Sequence, residues 1–439
     1  MKKKYRIILY TSIFLLCVVA SIILVVKKSN SVYEEESKPK VVKHKSMLSM
    51  NLEQTAGSGD YKTVTQSSWP TEGYKFNAEL SKCENGSTLS WDDTKKAVIM
   101  QGNVSDKCYV YFDIWIPSIA DYCTSGTDLA TCVKNFGDQG PSVSNIYIHN
   151  SSLTNGAGDN SYRYAGANPN NFVCFGTTES PCPIDNLYRI IGVFGENYHG
   201  ANGKQLVKLI KYDYMTTDEL GTDGDYSQTY KEWGMDSTYK GTYGDGERIG
   251  VYYWNYKATG SATNTWSTSL LNKTNLNTNF INNIGTTWAN KIATVTWKVG
   301  GNTWANIGTK TSSVAYTNEI TNPVTTNTTD NATTYSAKIG LMYVSDYGFA
   351  ASPDAWTLTM SSYNNTTATN NNWMYMGLYE WTISRYADYS YIAFFVYGDG
   401  YVDYNFVNYN IGVRASFNLE SSVSYVSGSG SMSDPIVIN

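Results

Sequence analysis

The chain has 439 residues, enough for two or three domains, and 14% of them are aromatic, including 37 Tyr and 12 Trp, so a sizeable core is expected and general disorder is excluded. Six of the 33 basic residues (Lys2, Lys3, Lys4, Arg6, Lys27, Lys28) flank one apolar segment, which leaves 27 against 38 acidic residues in the remainder. An acidic body without a basic cluster excludes nucleic acid as a partner, because phosphate binding relies on Lys and Arg, and three His leave little material for His-based metal sites or triads.

Residues 7–26 (IILYTSIFLLCVVASIILVV) carry no charge. As a helix rising about 1.5 Å per residue they span about 30 Å, the hydrocarbon thickness of a bilayer. The basic residues before them orient the N-terminus to the cytoplasm. A cleaved signal peptide is the competing reading, but the run exceeds an ordinary h-region and no A-x-A-like site follows. Cys17 lies deep in the run without a lipobox around it. Residues 1–28 therefore predict a cytoplasmic tip and an uncleaved signal anchor in the cell membrane. The lipid bilayer is the expected partner of residues 7–26, and the bulk of the chain is expected to be extracellular.

Residues 29–58 are polar and charge-mixed, and predict a flexible stalk. Residues 59–116 hold short β-prone runs (STLSW at 87–91, KAVIM at 96–100, CYVYFD at 108–113) and predict a small disulfide-bonded β-module. Residues 117–143 begin with Pro, space their apolar groups helically and predict a helical connector. Beyond Cys17 six Cys remain, as near neighbours Cys83/Cys108, Cys123/Cys132 and Cys174/Cys182. Six allow fifteen connectivities. Sequential pairing is the simplest, since each pair brackets a turn-rich segment, and metal binding would want a CxxC knuckle that the chain lacks. The first bridge would close about 25 residues and contribute about 3 kcal/mol, mainly by restricting the unfolded chain.

Residues 144–439 predict one large domain. YRIIGVF (188–194) and QLVKLIK (205–211) predict two strands joined by a Gly/Asn-rich turn. Residues 266–273 and 275–291 hold helical spacing, with Leu276, Phe280, Ile281, Ile284, Trp288 and Ile292 on one side. Further strands are expected near 295–297 and 338–344, and alternation continues through 391–397, 401–406, 411–419 and 436–438. Many antiparallel strands, few helices and long Asn/Thr-rich loops give an α+β class.

Several segments recur in an order that resembles an uncharacterised family of bacterial surface proteins with a C-type-lectin-like fold: DNSYRY (159–164), YRIIG (188–192), VKLI (207–210), KIGLMY (338–343) with SDY (345–347), WTIS (381–384), GVR (412–414), and the closing SGSGS (427–431) with Asp434-Pro435. The resemblance covers residues 145–439, and the module at 60–115 resembles one that often precedes such domains. Ala415 stands where the family usually has Pro, a departure that concerns a local turn. The fold is similar to that of the variable proteins of diversity-generating retroelements, so the resemblance implies a ligand surface in the C-terminal part. It implies no established activity, and function has to be argued from the site.

The candidate surface is 385–410 (RYADYSYIAFFVYGDGYVDYNFVNYN), with seven Tyr, three Asp and three Asn. Tyr offers stiff amphipathic contact area, and Asn, Asp and Ser add adaptable hydrogen bonding. Residues 392–396 read as core and Gly398-Asp-Gly400 as a hairpin turn. Alternation then places Tyr401, Asp403 and Asn405 on one face and Val402, Tyr404 and Phe406 on the other. The expected ligand-binding set is Arg385, Tyr386, Asp388, Tyr389, Tyr391, Tyr397, Asp399, Tyr401, Asp403, Asn405, Asn408 and Tyr409, with Trp373 or Trp381 at the rim, and the ligand an extracellular protein or glycan. The bland alternative is a structural surface protein whose abundant Tyr simply packs.

Enzymatic readings are weaker. Formylglycine-generating enzymes share a related fold but need reactive thiols late in the chain, and no Cys follows Cys182. A hydrolase triad would have to use His149 or His199, each in a loop. The pairs Asp399/Asp403 and Asp245/Glu247 lack the apolar setting that splits acid from base roles. No Glu-Pro-Asn, Gln-Pro-Asp or Trp-Asn-Asp signature of calcium-dependent lectins occurs, and the Asp223-Gly-Asp225 loop has no EF-hand frame. The expectation is a non-enzymatic binding protein without cofactor or metal.

Overall fold

The computed structural model describes residues 47–65, 68–70, 72–103, 105–195, 203–230, 239–244, 248–257, 262–324, 332–363 and 370–439. The apolar run at 7–26, His199, and the pair Asp245/Glu247 lie outside them. Among the described residues no helix is long and apolar enough to cross a membrane. The chain divides after Ile116 into two compact units.

In the first unit a four-stranded sheet has the order Tyr61–Val64, Met47–Glu53, Lys107–Ile114, Tyr74–Cys83. The first of the two central strands, Met47–Glu53, was expected within the flexible stalk and instead runs parallel to Lys107–Ile114. Its short apolar alternation explains the difference: Met50 and Leu52 are buried against Val110 and Phe112, a signal hidden by the polar composition around it. Phe112 is met edge-on by Phe76 and Trp91 at 5.9 and 5.6 Å. The hairpin Thr88–Asp92/Ala97–Gln101 packs its Leu89, Trp91 and Val98 on this core. Cys83 and Cys108 face each other across the antiparallel pair and are bridged.

The second unit, from Pro117 to Asn439, is mixed α+β, mostly strands with few helices. Its larger sheet has Leu206–Lys211 and Leu187–Phe194 at the centre, both buried along their whole length, as strands covered on two faces must be. The last strand, Ile436–Ile438, runs parallel to Phe172–Cys174, which fastens the chain end into that sheet. Here the closing SGSG turn matters: Gly428 has φ +97°, and a Cβ there would lie 2.2 Å from the Pro435 carbonyl oxygen. The disulfides Cys123–Cys132 and Cys174–Cys182 complete the sequential pairing. The helix Leu129–Gly137 starts from Asp128, whose side chain accepts from the Thr131 amide, and Leu129, Val133 and Phe136 enter the main core.

The helical spacing over 266–291 resolves into the short 3₁₀ turn Trp266–Thr268, a π-helix Leu271–Phe280 and two short α-helices. Leu271 and Leu276 are buried five residues apart, wider than the spacing of an α-helical face, and the Asn277 side chain reaches back five residues to the Asn272 carbonyl. Asp223 and Asp225 of the acidic loop turn to structure: Asp223 accepts from Asn279, and Asp225 from the amides of Leu271 and Tyr256.

The recurring segments converge on buried charges. Asp346, at the start of the helix Val344–Phe349, accepts from Lys208 Nζ at 2.5 Å, from Arg163 Nη1 at 3.5 Å and from the Tyr343 amide. Arg163 also pairs with Asp159 at 2.9 Å. Nearby Glu319 accepts from the amides of Val344 and Ser345 and from the Ser384 hydroxyl, while burial pushes its carboxyl up to about 7. A second buried pair joins Arg414 to Glu380 at 2.8 Å.

Candidate ligand-binding face

A six-stranded sheet carries the candidate surface, in the order Tyr226–Thr229, Gly250–Tyr253, Asn410–Gly412, Glu380–Arg385, Ile392–Val396, Val402–Phe406. The hairpin between its last two strands closes through Tyr397 and Gly400: the Tyr397 amide donates to Tyr401, and the Gly400 amide back to Tyr397, with Gly400 at φ +95°. The loop before Ile392 is held from beneath by Asn264. This buried side chain donates from its amide nitrogen to the carbonyls of Tyr386, Tyr389 and Ile392 at 2.7–2.9 Å, and its backbone amide donates to Ser390. Gly301 lets a further segment, paired through Asn302 with Tyr386, approach the start of this loop: it has φ +61°, and a Cβ there would lie 1.9 Å from the Arg385 carbonyl oxygen.

The exposed face is the one carrying Tyr404 and Phe406, opposite to Asp403 and Asn405. Tyr389, Tyr391, Phe406 and Tyr409 are 39–53% exposed and Tyr404 is 39% exposed. Apart from Tyr409, these rings belong to a connected course. Trp304 meets Tyr404 at 5.2 Å, Tyr404 stacks on Tyr386 at 4.9 Å, Tyr386 on Tyr389 at 5.7 Å, Tyr389 meets Tyr391 at 5.7 Å, and Tyr391 stacks on Phe406 at 5.6 Å. Val402, on the same face as Tyr404, is buried. Burial falls along this strand from Val402 to Phe406, and at Tyr404 the half-buried Trp304 supplies a ring edge-on.

Several expected members are not presented. Arg385 is buried rather than at a rim. Its Nη2 donates to the Val324 carbonyl, Nε and Nη1 have no hydrogen-bond partner among the described residues, and burial brings its guanidinium down to about 10. Tyr386 is buried as the middle ring of the course, its hydroxyl raised by burial and then by Asp388. Trp373 and Trp381 are buried too, their indole N–H groups donating to the carbonyls of Tyr164 and Tyr252. Asp403 and Asn405 are half-buried and fold back to accept from the amides of Tyr404 and Phe406, with Asp403 raised by burial. Tyr397 and Tyr401 stack on each other at 4.7 Å, both half-buried, next to Tyr379. Asp388, Asp399 and Asn408 are exposed.

Sequence reasoning missed Phe406, Trp304 and the support from Asn264. The alternation distinguishes two faces of a strand, and covering elements from elsewhere in the chain decide which one is open. His149, the described candidate for a triad, is a core residue: Nδ1 accepts from the Ala157 amide, the ring meets Phe349 edge-on at 4.7 Å, and burial lowers its pKa well below the usual histidine range. Among the described residues one group has metal-ligand proximity, Cys83, Asp106 and Cys108, but both thiols are in a disulfide and Asp106 accepts from the amides of Asn85 and Ser87.

No family model, no curated protein and no solved structure matches this chain.

Proposed function

We propose that this chain is a membrane-anchored, extracellular recognition protein with a C-type-lectin-like domain, which binds a protein or glycan on the aromatic face of Tyr389, Tyr391, Tyr404 and Phe406. The observation that carries the reading is the run of partly exposed rings in mutual contact, held on a rigid hairpin. Exposed apolar surface gathered in one place is costly to solubility and marks interaction sites, whereas scattered exposed rings do not. Flat ring faces accept the C–H side of sugars or apolar side chains, and the exposed Asp388, Asn408 and tyrosine hydroxyls supply polar contacts at the margin. The anchor rests on the charge-free run at 7–26, and the extracellular placement is further supported by three disulfides, which persist in oxidising compartments.

The test uses the full chain in detergent micelles, presented to a glycan array and to immobilised extracellular-matrix proteins, beside the double variant Tyr389→Ser/Phe406→Ser. Selective binding by the parent chain and its loss in the folded variant is the expected result. Equal binding by both proteins, or none by either, overturns the reading.

A further inference from the structure

A cleft of about 230 Å³ opens elsewhere in the second unit. Its floor is made by Phe172, Arg189, Trp373 and Tyr375, all buried, and its mouth by the exposed Asn168, Asn170 and Lys240. Arg189 is an unusual floor residue. It is 4% exposed, and its guanidinium lies 4.4 Å from the Phe172 ring centre and 4.6 Å from that of Trp373. Its three nitrogens donate to Asn171 Oδ1 and to the carbonyls of Trp373 and Pro169, all neutral acceptors. An arginine has five N–H donors, so one on each terminal nitrogen is left uncommitted. No carboxylate pairs with it among the described residues, in contrast to Arg163 and Arg414, the buried arginines that do have acidic partners. Burial, with a smaller push from the Arg414 charge, brings Arg189 down to about 9, which leaves it charged at neutral pH. Lys240 stands at the mouth, its ammonium 4.7 Å from the Tyr375 ring centre, and among the described residues no Asp or Glu lines the cleft. In a chain of net charge −5 this is a locally positive recess.

We infer that this cleft binds a sugar acid, a single hydroxylated ring bearing one carboxylate. Three features select that class. The buried cation lacks the carboxylate partner that Arg163 and Arg414 have, and a ligand carboxylate supplies it. Asn168 and Asn170 offer amide donors and acceptors for hydroxyls, and the aromatic floor takes the apolar face of a ring. The volume is below the range of about 300–1,000 Å³ typical of drug-sized ligands, room for one ring with its substituents. This site shares no residue with the aromatic face and stands or falls independently of it.

The probes are D-glucuronate, D-glucose and benzoate, titrated by calorimetry into the full chain in detergent micelles, with tryptophan fluorescence as a second readout for Trp373. Glucuronate is expected to bind at least about tenfold more tightly than either control, because each lacks one of the two recognised features. Arg189→Leu should abolish the preference over glucose. Because that change empties a buried position, Asn170→Asp provides a surface test: a new negative charge at the mouth should weaken glucuronate severalfold and leave glucose unaffected. Glucose or benzoate binding as well as glucuronate, an Asn170→Asp chain that binds glucuronate unchanged, or no heat and no fluorescence change with any probe would each overturn the assignment.

Discussion

Around Asp346 five ionisable side chains, Asp159, Arg163, Lys208, Glu319 and Asp346, are withdrawn from water, whereas around Phe406 a course of aromatic rings reaches into it. Ordinary partition would put the rings inside and the charges outside. The interior charges are tied to one another and to backbone amides across segments far apart in the chain, so they specify how those segments meet. The rings at the surface meet one another and, through Tyr386 and Trp304, the core beneath. If removing the exposed ones takes little from the fold, the surface is free to be used in binding.

Four experiments bear on this contrast. Asp346→Ala leaves Lys208 and Arg163 buried without their shared acceptor, so a stability loss of about 3–5 kcal/mol is expected in urea denaturation. A loss no larger than that of a surface substitution would show that the charges are not holding the segments together. Glu319 gives a pH signature. Its carboxyl is raised from 4.5 to about 7 in the folded chain, so ionising it costs more there than in the unfolded chain. Its contribution is most favourable below pH 4.5, declines as pH rises towards 7 and is flat above, with an amplitude of up to about 3 kcal/mol. Glu319→Gln should flatten that decline in thermal melts taken between pH 4.5 and 7, and an unchanged slope would assign it to other groups.

Asn264→Ala removes a side chain that donates to three carbonyls under the aromatic loop, with an expected cost of about 1–3 kcal/mol. Amide exchange at 386–392 should accelerate more than in the large central strands, and uniform acceleration would mean that Asn264 acts globally. The smallest stability change is expected from Tyr389→Ser and Phe406→Ser, within about 0.5 kcal/mol for each site, combined with the largest loss of ligand binding. A substantial drop in melting temperature would instead assign these rings to packing.

Local signals in the chain were enough to read the pairs Tyr188–Phe194 and Gln205–Lys211 as strands, because both are unbroken apolar β-formers, and to read the hairpin at Gly398–Gly400 from its glycines. They were enough for the three disulfides, since each Cys has a near neighbour in sequence. They were not enough for Met47–Glu53, a strand whose partner lies sixty residues away, nor for the π-helical register of 271–280, where buried Asn272 and Asn275 replace an apolar stripe. At the candidate site the chain disclosed a concentration of Tyr, Asp and Asn but not its orientation.

The amino-acid sequence by itself determined the alternating strands, the cysteine pairs and the supply of aromatic side chains, because each is a matter of neighbours along the chain. Only the tertiary structure decided that Asp403 and Asn405 turn back to their own backbone while Tyr404 and Phe406 reach solvent, and that Arg189 lies between two rings with no acid beside it among the described residues. Exposure and charge pairing depend on which distant segments arrive to cover a side chain, and periodicity carries no record of that arrival.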